Sequence, residues 1–337
     1  MRPPDVIHTN PWGTFVKNRY VYIRNTFVCW QPVWKHFRRA DLVIVQQSNR
    51  ALINYLIQFR RIFRKKPVIA YWGHGMNFQA KSARSLPERI KAFYSNYVDY
   101  WFAYNEVSKS VLVKRGFPES RIVALQNSID TRAEREIYDH IPEETLSRLR
   151  GDLGIGEHDA VGIYCGSLLA NKRIAFLLEA LVKVRDQVPG LHFIFVGDGS
   201  FKDTLRDMIR PHASWIHFVG PRFGREKLEY FKLAHFQLIP GLVGLNVIDS
   251  FLTLTPLITT DDKLHGPEVS YIVNRENGII TPNDLDAYVE AIAEVSRDRE
   301  FRERLNQGCR DAREIYTIEN MADNFYEGIV KALKLES

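Results

Sequence analysis

Cysteine is scarce in this sequence: Cys29, Cys165 and Cys309 are the only three in 337 residues, far apart and in no CxxC or Cys/His pattern. That excludes a disulfide framework and a cysteine-based zinc site, and it fits a reducing compartment. Long apolar runs are missing too. None approaches the roughly 18 residues of a spanning helix, and the opening MRPPDVIHTNPWG lacks the apolar core of a signal peptide. A cytoplasmic protein is expected, and any membrane contact should be peripheral, on the inner face. Low-complexity tracts and internal repeats are absent, while 45% hydrophobic and 26% charged residues are ordinary globular values. Acid pairs spaced for glycoside hydrolysis and a Ser-His-Asp order are not evident, so hydrolytic double displacement has no support. Asp284-Leu285-Asp286 offers paired acids, but it follows Pro282-Asn283 at a helix start, where Asp is expected as a cap. No metal and no cofactor are therefore expected.

What is present begins with length, which is enough for two domains. Charge divides unevenly between them: residues 1–150 hold 25 Lys+Arg against 12 Asp+Glu, and residues 151–337 hold 21 against 28. A basic face attracts phospholipid headgroups, lipid diphosphates or nucleic acid, though a solvated surface gives the same balance. No nucleic-acid motif accompanies the charge, so an anionic membrane surface is the expected partner and nucleic acid is not. Phe59 to Lys66, which interleaves two phenylalanines with five cations, reads either as an interfacial basic helix or as a solvated helix end.

From Ala160 onward short apolar runs alternate with helical patterns: 161–165, 191–196, 215–219, 236–240, 256–260 and 278–281. Nearly unbroken β-branched and aromatic composition marks strands buried on both faces, as in a parallel sheet covered by helices. Ile174, Leu177, Leu178, Leu181 and Val184 fall at helical spacing, with Asn171 as N-cap. An open doubly wound sheet follows, with its ligand beyond the carboxyl ends of the strands. The first half has strand candidates at 20–23, 41–45, 67–72, 99–104 and 121–125 and reads as a second α/β domain. The domains are placed at 1–130 and 155–315, with a charged linker at 131–154 and a C-terminal helix, 316–337, expected to pack back on the first domain.

The segment from Cys165 to Arg173 joins a buried strand to a helix, collecting backbone N–H groups and two cations where a diphosphate could sit. A Lys-Arg pair facing water fits the spacing equally well. The context is what discriminates. GSLLANKR, then FVGDG (195–199), FVG (218–220), 239–259, GPEV (266–269) and ENGIITPND (276–284) is similar in order and spacing to glycosyltransferase family 4, the group 1 glycosyltransferases of bacterial surface-polysaccharide type. WGHG (72–75) and QNSID (126–130) extend the resemblance into the first half. It implies the GT-B fold, α/β with two doubly wound Rossmann-like domains facing a cleft. It also implies a nucleotide-diphosphate sugar donor, transfer with retention, and a lipid-linked or cell-surface glycan acceptor.

On this resemblance Lys172 contacts the donor diphosphate, Ser167 stands where an arginine is common, and Arg173 compensates. Gly166, Gly197, Val243, Gly244 and Leu245 bring backbone to the donor. The family's two glutamates fall on Gly241, where the carboxylate is missing, and on Asp249, which would accept from the ribose hydroxyls. Asn246 is the nearest polar substitute for the missing group. His74 resembles the family histidine that points at the donor sugar, and its flanking glycines allow close approach to a ligand. Asp198 and Glu268 read as scaffold. Lys172, His74 and Asn246 are thus the expected catalytic set. Two rival readings stay open: a sugar-nucleotide epimerase, and a non-catalytic partner subunit, for which Gly241 argues. Nothing before Tyr20 is apolar enough for the opening strand of such a domain. The first sheet should therefore be short of its opening βα unit, with residues 1–19 irregular.

Overall fold

The computed structural model describes residues 13, 16–23, 26–47, 51–61, 66–75 and 97–334. The chain forms two compact units, Met1–Leu125 with Asp323–Ser337, and Gln126–Ala322. In the first, β1 (Arg19–Ile23) and β2 (Thr26–Trp30) pair as an antiparallel hairpin, followed by the short helix α1 (Trp34–Phe37). Then come β3 (Leu42–Gln46), α2 (Leu52–Arg61), β4 (Val68–Gly73), β5 (Tyr100–Ala103), α3 (Glu106–Lys114) and β6 (Ile122–Ala124). The four strands β3 to β6 lie side by side in chain order, all parallel, with β3 at an edge. Asn105 caps α3 by accepting from Ser108 N at 3.0 Å. The run at 20–23 is a strand, but of the separate hairpin. Its partner TFVCW has the same β-branched and aromatic composition, a signal the sequence reading passed over.

The second unit opens with α4 (Arg132–Asp139) and α5 (Glu143–Leu153), where a linker was expected. The correction has a physical reason: within that charged segment Tyr138, Ile141, Leu146 and Leu149 are spaced to share one side, and all four are buried. Gly154, in the left-handed region at φ 65°, ends α5. The Rossmann-like sheet follows: β7 (Ala160–Cys165), α6 (Ile174–Gln187), β8 (Leu191–Val196), α7 (Lys202–Ile209), β9 (Ile216–Gly220), α8 (Gly224–Leu233), β10 (Phe236–Leu238), α9 (Asn246–Leu252), β11 (Leu257–Thr260), β12 (Gly278–Thr281), α10 (Leu285–Arg297) and α11 (Arg299–Ile315).

All six strands are parallel, in the order β12-β11-β10-β7-β8-β9. Alternate residues face opposite cores. Tyr164, Phe193, Phe195, Phe236 and Leu238 meet the side of α6, α10 and α11, while Val161, Ile163, Ile194 and Val196 meet α4, α5 and α8. Among the described residues the first parallel sheet has four strands and the second six. Residues 1–12 and 14–15, expected to be irregular, lie outside the described residues.

The last helix, α12 (Ile318–Lys334), begins in the second unit and ends in the first. Met321 Sδ accepts from Ser128 N, both in the second unit. In the first unit, Asn324 Nδ2 donates to Leu125 O at 3.2 Å and Phe325 stacks on Phe102 at 4.6 Å between ring centres.

Candidate functional site

In the second sheet β7 has β10 on one side and β8 on the other, so the direction of winding reverses between β7 and β10. The crevice beyond the carboxyl ends at such a reversal is where doubly wound sheets hold ligands. Two loops flank it here, Gly166–Arg173 after β7 and Ile239–Leu245 after β10.

The first loop is built on the neighbouring one. Gly166 N donates to Val196 O at 3.0 Å and Leu168 N to Asp198 O at 2.9 Å. A Cβ at Gly197 would lie 1.9 Å from Gly166 O, so this glycine is required by close backbone packing rather than by a ligand. Tyr164 Oη donates to Ser167 O at 2.8 Å and holds the loop from beneath. Ala170–Lys172 is a 3-10 turn, and α6 starts after Arg173, which sits in the left-handed region at φ 56°. The expected cap is thereby corrected. Asn171 lies in the turn before the helix, and α6 has no side-chain cap.

Lys172 is only 7% exposed. Its ammonium donates to Leu242 O at 2.5 Å, with Asn246 Oδ1 further off at 3.4 Å. Asn246 Nδ2 in turn donates to Cys165 O at 2.9 Å, tying the start of α9 to the end of β7. An ammonium has three N–H groups, so one has no acceptor among the described residues. Burial lowers the Lys172 pKa to about 8 and pushes the adjacent Cys165 thiol up to about 12. This is a cation held out of water and incompletely satisfied, not a lysine facing solvent.

Gly241 is where the two loops touch. A Cβ there would stand 2.3 Å from Asn171 O and 2.9 Å from Lys172 Cα, while Leu242 N donates to Asn171 O at 3.0 Å. The turn carrying Lys172 fills the space a carboxylate at 241 would need. Val243 is fully buried and offers only backbone: its N–H points to His265 Nδ1 at 3.4 Å, and His265 Nε2 donates to Thr260 O at 2.7 Å. Burial lowers the His265 pKa, consistent with a neutral ring that pins this loop. Sequence reasoning missed His265, whose one signal was its place before Gly266-Pro267. Leu245 packs partly buried against the core, and Gly244, at φ 59°, has open space where a side chain would be.

Arg173, the expected compensating cation, is turned to the protein's own loops through one nitrogen: Nη1 meets Asn283 Oδ1 at 2.7 Å, Thr260 Oγ1 at 2.9 Å, Pro240 O at 3.3 Å and Asp262 at 3.4 Å, and the guanidinium lies over Phe176. It ties together the loops after β10, β11 and β12. Asp249 has a partner that the sequence did not disclose: Lys227 of α8 bonds it at 3.2 Å and bonds Glu134 of α4 at 2.9 Å. Burial raises the Asp249 pKa and Lys227 pulls it back. Burial disfavours the Lys227 ammonium, but Asp249 and Glu134 outweigh it and its pKa is raised.

Asp198 accepts from Gly199 N, and Asp284 caps α10 by accepting from Ala287 N. Glu268 is buried, with burial raising its pKa and Asn127 Nδ2 at 3.4 Å. His74 lies in the first unit, just past β4, its ring 4.0 Å from that of Tyr104. Its flanking glycines are corrected as well. Cβ atoms there would meet Gln47 at 2.8 Å and Leu112 at 2.9 Å, so both are close approaches to the protein's own chain. Among the described residues no three His, Cys, Asp or Glu side chains gather as a metal would need, and no helix is long and apolar enough to cross a membrane.

The stretch that carries both loops, residues 159–298, matches the family described as glycosyl transferases group 1. This segment is a group 1 glycosyltransferase domain. EpsD of Bacillus subtilis (strain 168), named as a glycosyltransferase, is 24% identical over 278 residues, 78% of this chain and 71% of that protein. The alpha-galactosylglucosyldiacylglycerol synthase of Streptococcus pneumoniae is 21% identical over 256 residues, 72% of this chain and 65% of that enzyme, just under two thirds of its length. Among solved structures, Anabaena Alr3699/HepE in complex with UDP aligns with a TM-score of 0.67 at 16% identity, covering 88% of this chain and 81% of that one. At that identity the likeness carries the fold, which is GT-B.

Proposed function

We propose that the chain is a retaining glycosyltransferase that moves a sugar from a nucleotide-diphosphate donor to a lipid-linked or cell-surface glycan at the cytoplasmic face of a membrane. The observation that carries this is Lys172, a buried ammonium with an uncommitted N–H, placed at the winding reversal beside the open face of Gly244. A diphosphate there would accept from the ammonium and from backbone N–H groups of Gly244 to Asn246, since those of Leu242 and Val243 already have partners. The bond gains strength as negative charge grows on the departing phosphate, so it lowers the barrier as well as the ground state. The acceptor hydroxyl attacks the anomeric carbon on the face that the diphosphate leaves, its oxygen forms the new glycosidic bond, and its proton passes to the departing phosphate. Asn246 holds Lys172 in place and Asp249 accepts from the ribose, while for His74 the sugar-directed role rests on the resemblance alone. No metal enters this reading. The UDP in the Anabaena structure supports the donor class, and the lipid named in the streptococcal relative supports the acceptor class.

The test is a panel of nucleotide sugars with lipid-linked acceptors, read by nucleoside diphosphate release and by the anomeric configuration of the product, with and without EDTA. Acceptor-dependent release with retention in EDTA supports the reading. Inversion, or activity restored to the chelated protein only by magnesium or manganese, overturns the corresponding part. Gly241 favours a second reading, a nucleotide-binding partner subunit, for which the same panel would give binding without turnover.

A further inference from the structure

Lys227 of α8 is a charged group that the proposed reaction does not use. Its ammonium donates to Asp249 Oδ1 at 3.2 Å and to Glu134 Oε1 of α4 at 2.9 Å. The Lys227 and Asp249 side chains are each 16% exposed and that of Glu134 27%, so two carboxylates share one ammonium where little water screens them. Stability does not explain such a cluster, because the cost of withdrawing three charges from water offsets much of their attraction. It does hold an acceptor in place. An ionised carboxylate has about four acceptor positions; Oδ1 of Asp249 takes Lys227, and Oδ2 accepts from no described residue.

Asp249 follows Asn246 by three residues, so the two lie on one side of α9. On that side Asn246 bonds Lys172 and the Cys165 carbonyl, and the Cys165 thiol feels the charges of Asp249, Lys227, Glu134 and Lys172. The carboxylate therefore stands near the end of β7, where the Lys172 loop begins. The groups facing it are Lys227 from α8, Glu134 from α4 and the Cys165 thiol from β7, which burial keeps neutral. Burial raises the Asp249 pKa, Lys227 lowers it, and Glu134 adds a further upward push. Without Lys227 this carboxylate would take up a proton more readily and lose its fixed direction. We propose that Lys227, anchored by Glu134, is a positioning residue that holds the Asp249 carboxylate charged and aimed at a ribose hydroxyl of the donor, and so sets how well the protein tells a ribonucleotide from a 2′-deoxyribonucleotide. The proposal rests on the ribose contact read for Asp249 under the proposed function, and the variants below separate the two.

The experiment is calorimetric titration of the full chain with UDP and with 2′-deoxy-UDP across the carboxylate range and up to neutral pH. Taking the ratio of the two affinities cancels the titration of the diphosphate, which both ligands share. The parent should favour UDP at least about tenfold, the worth of a hydrogen bond to a charged group. Asp249→Asn should bring the ratio close to one at every pH; a retained preference removes Asp249 from the ribose and overturns the reading of that contact together with the proposal. Where Asp249→Asn does abolish the preference, Lys227→Met should reduce it several-fold, and on acidification the remainder should disappear at higher pH than in the parent. Lys227→Arg should restore both. Glu134→Gln removes a like charge and leaves Lys227 an acceptor, so it should move the acid decline to lower pH. A merely structural role would weaken both nucleotides alike and would not shift two variants in opposite directions. A Lys227→Met protein that is folded by circular dichroism and keeps the parental ratio and pH dependence overturns the proposal, leaving the ribose contact standing. So does a shift of the same sign in Lys227→Met and Glu134→Gln. Should Lys227→Met misfold, an unmoved decline in Glu134→Gln overturns it instead.

Discussion

On the proposed reading, binding and chemistry both depend on one side chain, Lys172. Lys172→Ala should lower kcat/KM by roughly 10- to 100-fold, the loss of a charge-assisted hydrogen bond of about 1.5–3 kcal/mol, with no change in unfolding midpoint. With a pKa of about 8 the free protein carries the cation below that pH and a neutral amine above it. UDP affinity should therefore fall as pH rises through about 8, and the pH series should be flat in Lys172→Ala. An alanine variant that keeps full kcat/KM removes this lysine from the site. The sequence pointed to Lys172 through the family resemblance, since its position between strand and helix fits a water-facing cation equally well, and it could not show that Gly241 is closed. Absence of a side chain reads as a lost carboxylate, whereas the coordinates show the Lys172 turn packed against that glycine. Restoring the acid is thus expected to fail: Gly241→Glu should cost about 1–3 kcal/mol by overpacking, measured by urea denaturation, and should not raise turnover. A stable, more active Gly241→Glu protein would contradict this account.

Elements were legible where pattern and burial agree. All six strands of the second sheet lie within the apolar runs or one residue beyond them, because strands covered on both faces are apolar throughout. The segment at 131–154 hid its helices because their one buried stripe is diluted by exposed charge, and composition averaged over the stretch resembles a linker. Ion pairs such as Lys227 with Asp249 join separate helices and leave no mark in the linear order. Another such pairing lies at the amino ends of β8 and β9. His192 Nδ1 and His217 Nε2 are 3.2 Å apart, and Asp159 is 3.3 Å from the other nitrogen of His192. Burial, with a smaller effect of His192, lowers the His217 pKa to about 4, and burial lowers that of His235 to about 4. An unfolded histidine titrates near 6.5, so on acidification the unfolded chain takes up these protons first. The contribution is full above about pH 6.5 and is lost as pH falls towards about 4. Each histidine should cost on the order of 1–3 kcal/mol over that window, and His217→Gln should flatten the decline seen in urea midpoints. An unchanged slope would exclude His217 as a source.

At the scale of the whole molecule the two units were unequally readable. Motifs crowd the second because close backbone packing of its loops, as at Gly197 and Gly241, fixes many positions. The first shows no such concentration, and its core depends on contacts between distant segments. The chain's last helix belongs to both units by membership, and its far half is set on the first by tight packing. A Cβ at Gly328 would lie 2.6 Å from Phe102 Cε1 and 2.7 Å from Val123 Cγ1, and Phe102 is fully buried. Neither neighbour can move away cheaply, since Phe102 sits in the middle of β5 and Val123 in β6. Gly328→Val should then destabilise the first unit by about 1–3 kcal/mol while leaving the Lys172 loops alone. Hydrogen exchange separates the outcomes. Faster exchange in β4 to β6 with β7 to β12 unchanged is the expected result, and UDP affinity should stay at the parent value. Equal loss of protection in both sheets would mean that the units unfold as one cooperative body. No loss in either would mean that the last helix is not packed on the first sheet in solution, against the stacking of Phe325 on Phe102.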